Sequence, residues 1–246
     1  MHCQPPYKGP VYIWLKNKQF CLLCGDATDT VQPICTPCES ELPWLGDHCA
    51  TCALPLPMSS LQCGQCSTHP PAFERVLAPW AYEFPVDNLI TRFKHQAKWP
   101  LGRLLGELLA QSLQHHFNEG LERPDALVPV PLAAQRLRQR GFNQATLLAR
   151  WLSGPLQLPG EEHLLRRIHD TPAQQALDAR ARRRNLRHAF AMMPGAQVRG
   201  RHLALVDDVL TTGATAQTLA RLLLDAGAAR VDVYCLARTP KTGEPT

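Results

Sequence analysis

The chain has 246 residues, 45% of them hydrophobic and 7% aromatic, and a formal charge of +5. That length suits one large domain or two unequal ones, and no apolar run approaches the ~20 residues of a membrane helix, which excludes an inserted protein. Only six of its 26 basic residues are lysine, a bias toward the planar guanidinium that binds phosphate and carboxylate in a bidentate fashion, although charge alone identifies no partner.

Residues 1–20 are mixed and polar, without the apolar core of a secretory signal, so a cytoplasmic, reducing location is expected. Ten cysteines in such a compartment argue for metal before disulfides. Eight of them form four Cys-x-x-Cys pairs, Cys21/Cys24, Cys35/Cys38, Cys49/Cys52 and Cys63/Cys66, each starting 14 residues after the last. Each pair offers two thiolates to a tetrahedral ion, so the array predicts two structural zinc ions with no open coordination position. Consecutive pairing closes the shorter loops and is the simpler arrangement; a cross-braced one would join alternate pairs, and redox chemistry is the weaker reading. Residues 18–70 hold many prolines and few large apolar residues, so folding there should depend on metal. Cys3 has no partner pattern, and Cys235 lies in an apolar run as a packed core thiol.

Pro70-Pro71 reads as the linker into a second domain over 71–240. Arg75–Tyr82 is strand-like but broken by Pro79, which suggests a sheet edge. Apolar spacing predicts helices over Pro85–Gln96, with Lys94 near the end, and over Leu101–Phe117. Ala126–Leu132 reads as a buried strand, followed by a basic loop carrying Arg136, Arg138 and Arg140 and a helix over Ala145–Leu152. Leu164–Ile168 reads as a short strand. The polar segment from His169 to Phe190 crowds Arg180, Arg182, Arg183, Arg184 and Arg187 together, which suits an active-site flap and equally a nucleic-acid contact.

The run from His202 to Thr215 carries the most information. An apolar segment, the pattern of a strand covered on both faces, ends in Asp207 and Asp208. Thr211, Thr212, Gly213, Ala214 and Thr215 follow, and then an amphipathic helix from Ala216 to Gly227. A strand–turn–helix of this kind aims backbone N–H groups and a helix dipole at one anion. Two acids beside a phosphate cradle make sense when the ligand also carries vicinal hydroxyls or a metal ion. In an α/β sheet, loops leaving strand ends converge on one crevice, here the Asp-Asp turn and the arginine loop.

The string from Val206 to Thr215 resembles the phosphoribosyl-diphosphate (PRPP) loop of type I phosphoribosyltransferases. The resemblance implies Asp207 and Asp208 on the ribose hydroxyls and Thr211–Thr215 around the 5-phosphate. Four Cys-x-x-Cys pairs, Phe93-Lys94, Val128-Pro-Val-Pro131, Arg140-Gly-Phe-Asn-Gln144, Thr171-x-x-Gln174-x-x-Leu177, Arg182-x-x-Asn185, Phe190 and the Asp207–Thr215 loop occur in that order. That ordered set resembles the ComF family of competence-associated, GntX-like proteins. The resemblance implies an α/β fold: a type I phosphoribosyltransferase-like parallel sheet flanked by helices, preceded by a double zinc ribbon. It further implies PRPP as ligand, Mg²⁺ with it, and a link to DNA uptake, with single-stranded DNA and competence-machinery proteins as candidate partners.

Lys94, Arg140 and Arg182 are the candidate catalytic residues, as cations for a departing diphosphate. In purine-using relatives an acid stands two residues before the loop glycine; here that position is Thr211, so any transfer proceeds without that base. Two readings follow: transfer of phosphoribosyl to an unidentified base, or a non-catalytic PRPP- or nucleotide-binding adaptor for single-stranded DNA or protein. A nucleic-acid clamp of flap and ribbons is a companion activity.

Overall fold

In a computed structural model, the described residues are 19–28, 30–58, 62–168 and 189–240. The chain divides into two units, one ending at Glu41 and one starting at Leu42. In the first unit, Gln19–Phe20 (β1) pairs antiparallel with Ala27–Thr28 (β2), and Thr36–Ser40 forms a short helix (α1). The Thr30 hydroxyl donates to the carbonyls of Gln32 and Ile34 at 2.6 and 2.8 Å, closing the turn that leads into α1.

The second unit begins with Gly64–Thr68 (α2), then Val76–Leu77 (β3) and Trp80–Ala81 (β4). Val86–Gln96 (α3) and Trp99–Asn118 (α4) follow, as the apolar spacing predicts. Ala126–Pro129 is β5, Ala134–Arg140 is α5 and Gln144–Leu156 is α6. Leu165–Arg167 (β6) and Phe190–Met192 (β7) form a small antiparallel pair. The last three elements are His202–Leu210 (β8), Ala214–Asp225 (α7) and Arg230–Arg238 (β9).

β5, β8 and β9 form a parallel sheet in the order β5-β8-β9. β3 and β4 both pair parallel with β9 on its outer side, Val76 opposite Val233 and Trp80 opposite Ala237, so Pro79 does lie at an edge. Strand side chains alternate between faces. Leu203, Leu205, Val231, Val233 and Cys235 pack with Leu219 and Leu223 of α7. The alternate residues of the strands lie on the opposite face, where α6 packs on β5 and β8 and α4 on β9; Phe117 of α4 meets Tyr234 there, with ring centroids 6.5 Å apart. Both faces are covered, which is why His202–Val206 and Val231–Ala237 are buried throughout.

One expectation is corrected. The stretch predicted as a basic loop is a helix, α5, because Ala134-Gln-Arg-Leu-Arg-Gln-Arg140 contains only good helix formers. It stops at Gly141, whose φ of +81° suits glycine. None of the described helices is long and apolar enough to cross a membrane.

Candidate functional site

Register assembles the site. Pro129 at the end of β5 lies opposite Val206 of β8, so the segments leaving these parallel strands start side by side. The Val130 amide continues the ladder to the Val206 carbonyl at 2.9 Å. Asn143 then holds the following turn against the strand end: its Nδ2 donates to the Val130 carbonyl at 3.0 Å, and its Oδ1 accepts from the Ala145 amide at 3.1 Å, capping α6.

Asp207 and Asp208 sit within β8, which continues to Leu210, so successive positions direct them to opposite faces of the strand. Asp208 lies on the side of α3. The Lys94 ammonium, near the C-terminus of that helix, lies 2.8 Å from Asp208 Oδ2. Asp208 is buried, its Oδ1 accepts from the Val209 amide at 2.7 Å, and its Oδ2 has no well-aligned hydrogen bond among the described residues. Arg140 is close enough to feel the Asp208 carboxylate; burial pulls its guanidinium down, and Asp208 opposes that pull. Arg136 also acts on Arg140, as the i,i+4 spacing of one helix face requires, whereas Arg138, two positions on, lies on another face. The helix therefore separates arginines that a loop would have let converge. Lys94 thus contacts the acid pair, Arg140 feels the Asp208 charge while its guanidinium donates to Gln144 Oε1, and Arg182 lies outside the described residues.

Asp207 lies on the α7 side, opposite Cys235 in the register, and its Oδ1 accepts from the Asp208 amide at 2.9 Å. Burial, reinforced by the negative charge of Asp208, pushes its carboxyl up to about 8. The folded chain therefore keeps a proton that an unfolded aspartate releases near 3.8. Stability of the ligand-free protein is full below that lower value and falls as pH rises toward 8. Asp207→Asn is expected to remove most of this fall and to raise Tm at pH 8 by about 2–4 °C, the shift that ~1 kcal/mol produces in a chain of this size. Thermal melts of both proteins between pH 5 and 8 check it; parallel curves would contradict it.

Beyond β8, Thr211 and Thr212 are exposed and Gly213 takes φ +73° as the N-cap of α7. Gly213 supplies no side-chain cap; in this 12-residue helix, which starts two residues earlier than predicted, the Ala214 amide donates to Thr212 Oγ1 at 3.4 Å, and the Thr215 and Ala216 amides behind it are the ones open to an anion among the described residues. Gly227, just past the end of α7, takes φ +101° as a helix-stopping glycine does.

The cysteines fall into two groups, Cys21, Cys24, Cys35 and Cys38, and Cys49, Cys52, Cys63 and Cys66, with the ligand atoms of each within 4.8 Å of one another. This is the consecutive pairing. Donor chemistry fits zinc: burial pushes the Cys21 thiol up, but hydrogen bonds from the backbone of Cys24, Cys35 and Leu23 win and bring it to about 6. Cys49 is brought to about 7 by the same opposition between burial and the amides of Cys52, Cys63 and Thr51. The Cys63 amide lies 3.2 Å from Cys49 Sγ. Cys38 and Cys66 are pushed up, first by burial and then by neighbouring thiols, so protons crowd each cluster until a cation replaces them. Elemental analysis of purified protein is expected to return two zinc ions per chain; one or none would contradict the two-centre reading. Cys235 is fully buried and its thiol is pushed up to about 12 by burial, as a core residue.

Arg238 was not anticipated. This residue ends β9 with its side chain buried, and its guanidinium donates to four backbone carbonyls, those of Cys52, Leu210, Thr211 and Thr239. A basic residue closing an apolar run was its only signal in the sequence.

Residues 18–67 match the double zinc ribbon domain family, and residues 164–246 match the phosphoribosyl transferase domain family. The chain is 39% identical to the DNA utilization protein YhgH of Escherichia coli K12 over 208 residues, 84% of this chain and 90% of that one. It is 33% identical to competence protein F of Haemophilus influenzae, over 89% of this chain and 96% of that one. Competence protein ComFC of Bacillus subtilis is 27% identical over 91% of this chain and 96% of its own length.

Proposed function

Because the chain belongs to the family of competence protein F and the DNA utilization protein YhgH, we propose that it binds PRPP with Mg²⁺ and transfers the phosphoribosyl group to a nitrogenous base in the cellular handling of DNA. The observation that carries this reading is the pairing of a buried carboxylate, Asp208, with an uncapped helix start after one short turn. Asp208 Oδ2 lies 2.8 Å from the Lys94 ammonium but accepts no well-aligned hydrogen bond among the described residues, which leaves the carboxylate acceptor capacity for a ribose hydroxyl or a cation-bound water. Asp207, protonated in the empty site, gives up its proton when a cation or hydroxyl pair arrives.

In this reading Thr211–Thr215 and the α7 amides hold the 5-phosphate while the acids hold the ribose hydroxyls. Asp207 and Asp208 would hold Mg²⁺, which would supply charge neutralisation for the diphosphate. Lys94, paired with Asp208, and Arg140, near enough to feel that charge, stabilise negative charge as the bond from C1 to the diphosphate oxygen breaks and the acceptor nitrogen bonds to C1. Thr211 takes no proton at neutral pH, so the acceptor's N–H proton leaves to solvent.

The test is diphosphate release on mixing metallated protein with PRPP, Mg²⁺ and a panel of bases. Release with one base supports transfer. Heat of PRPP binding without release from any base supports instead the non-catalytic adaptor, whose partners would be single-stranded DNA or a competence protein. Arg180, Arg182, Arg183, Arg184 and Arg187, on which the DNA reading rests, lie outside the described residues.

A further inference from the structure

The phosphate loop is tied to the second four-cysteine group by side chains that the transfer reaction itself does not use. Arg238 lies opposite Leu210 in the β8–β9 register, immediately beneath the start of the loop. Its Nη1 donates to the Leu210 carbonyl at 3.0 Å and also to the Thr211 carbonyl, while its Nε reaches the other way, to the carbonyl of the zinc-ligand candidate Cys52 at 2.8 Å. A buried guanidinium at 7% exposure needs such acceptors, and here they come from both the cysteine knuckle and the loop. A second tie comes from the chain leaving the knuckles. The Ala72 amide donates to Gln217 Oε1 in the first turn of α7 at 2.6 Å, and the Phe73 ring lies 3.8 Å from where a Cβ on Gly213 would stand. Ala53, next to Cys52, packs in the same apolar cluster as Phe73, Leu210 and Ala216.

We propose that Arg238 is a positioning residue through which metal at Cys49, Cys52, Cys63 and Cys66 sets the order of the Leu210–Thr215 loop. Without metal, the Cys52 turn loses the constraint that holds its carbonyl, Arg238 loses one side of its bridge, and the loop amides lose their fixed aim. The first group, Cys21, Cys24, Cys35 and Cys38, has no share in this bridge. The consequence for PRPP affinity rests on the function proposed above; the ordering of the loop does not. Coupling between sites is reciprocal, so a ligand that needs an ordered loop also retains the metal.

The test uses the full chain and two readouts. Amide hydrogen exchange over 208–217 is expected to speed up about tenfold in Cys66→Ser and in Arg238→Lys, and to stay unchanged in Cys38→Ser, which affects the first group. Arg238→Lys keeps the charge but cannot reach both carbonyl sets, and it should retain two zinc ions with exchange elsewhere in β8 and β9 unchanged. A merely structural role would instead raise exchange across both strands. Should Cys66→Ser fail to fold, wild-type protein partly stripped by chelator supplies the same comparison.

In the second readout, PRPP with Mg²⁺ is expected to slow transfer of one of the two zinc ions to a colorimetric chelator about tenfold, with Arg238→Lys abolishing the protection. Exchange over 208–217 that ignores both metal loss and Arg238→Lys overturns the proposal. If PRPP gives no heat in calorimetry, the PRPP reading falls and the exchange arm alone decides the coupling.

Discussion

The double substitution Asp207→Ala/Asp208→Ala is expected to weaken PRPP binding on the order of 100-fold or more, the loss of two charge-assisted partners to the sugar hydroxyls. In the empty protein Asp207 is mostly protonated, being pushed up to about 8 by burial and by its neighbour, so the change removes one carboxylate charge, that of Asp208, together with its ion pair to Lys94. Binding therefore collapses while the fold survives. Calorimetry with PRPP and Mg²⁺ at pH 7.5, alongside a thermal melt, separates the two effects. Loss of binding in a protein that still melts cooperatively is the expected result. Equal affinity in wild type and variant would remove the acid pair from the site and with it the PRPP reading.

Lys94→Met is expected to destabilise the protein by about 2–3 kcal/mol, since it strands a buried carboxylate whose ion-pair partner lies at 2.8 Å. For a chain of this size that is a fall in Tm of roughly 4–12 °C. Adding Asp208→Asn to Lys94→Met should restore most of the loss, because the unpaired charge disappears along with its partner. Melts of the two single variants and the double variant close this cycle. A Lys94→Met protein as stable as wild type would show that the pair contributes nothing. Affinity for PRPP should also fall in Lys94→Met if the ammonium faces the diphosphate.

The elements with strong periodicity were legible in the chain itself. α3, α4 and β5 lie where apolar spacing places them, β8 starts where expected but runs past the two acids to Leu210, and Pro79 announces the break between β3 and β4 at the edge of the sheet. Spacing predicts four-cysteine groups and favours consecutive over cross-braced pairing; the structure has the consecutive groups. The arginine segment was misread for a local reason: charge density suggests a solvated loop, yet Arg, Gln, Leu and Ala are all helix formers and Gly141 marks the stop. Paired side chains from distant parts of the chain leave no such trace. Lys94 is one polar residue on an amphipathic helix until β8 brings Asp208 against it. Asp232 reads as an interruption of an apolar strand, although it is fully buried and meets His202 Nε2 at 3.1 Å. Arg238 reads as the end of that strand, and its four carbonyl partners are set only by the register of β9 and the path of the Cys52 turn. Burial of a charged group is a tertiary event, decided by what surrounds it.

The outer edge of the sheet bears on how this protein can be handled. β3 and β4 are two residues each, split by Pro79, and Trp44 forms an antiparallel bridge with Trp80 while its ring stacks obliquely on the Trp80 indole at 5.5 Å. The Ala81 amide donates to the Pro43 carbonyl at 2.9 Å. Residues 43–45 thus act as a cover strip over the exposed strand margin. A shortened chain that starts at the Pro70-Pro71 linker would uncover Trp80 and leave open backbone groups available to another molecule, the geometry of edge-to-edge association. Truncation there favours precipitation, whereas a cut near residue 41 leaves the strip in place.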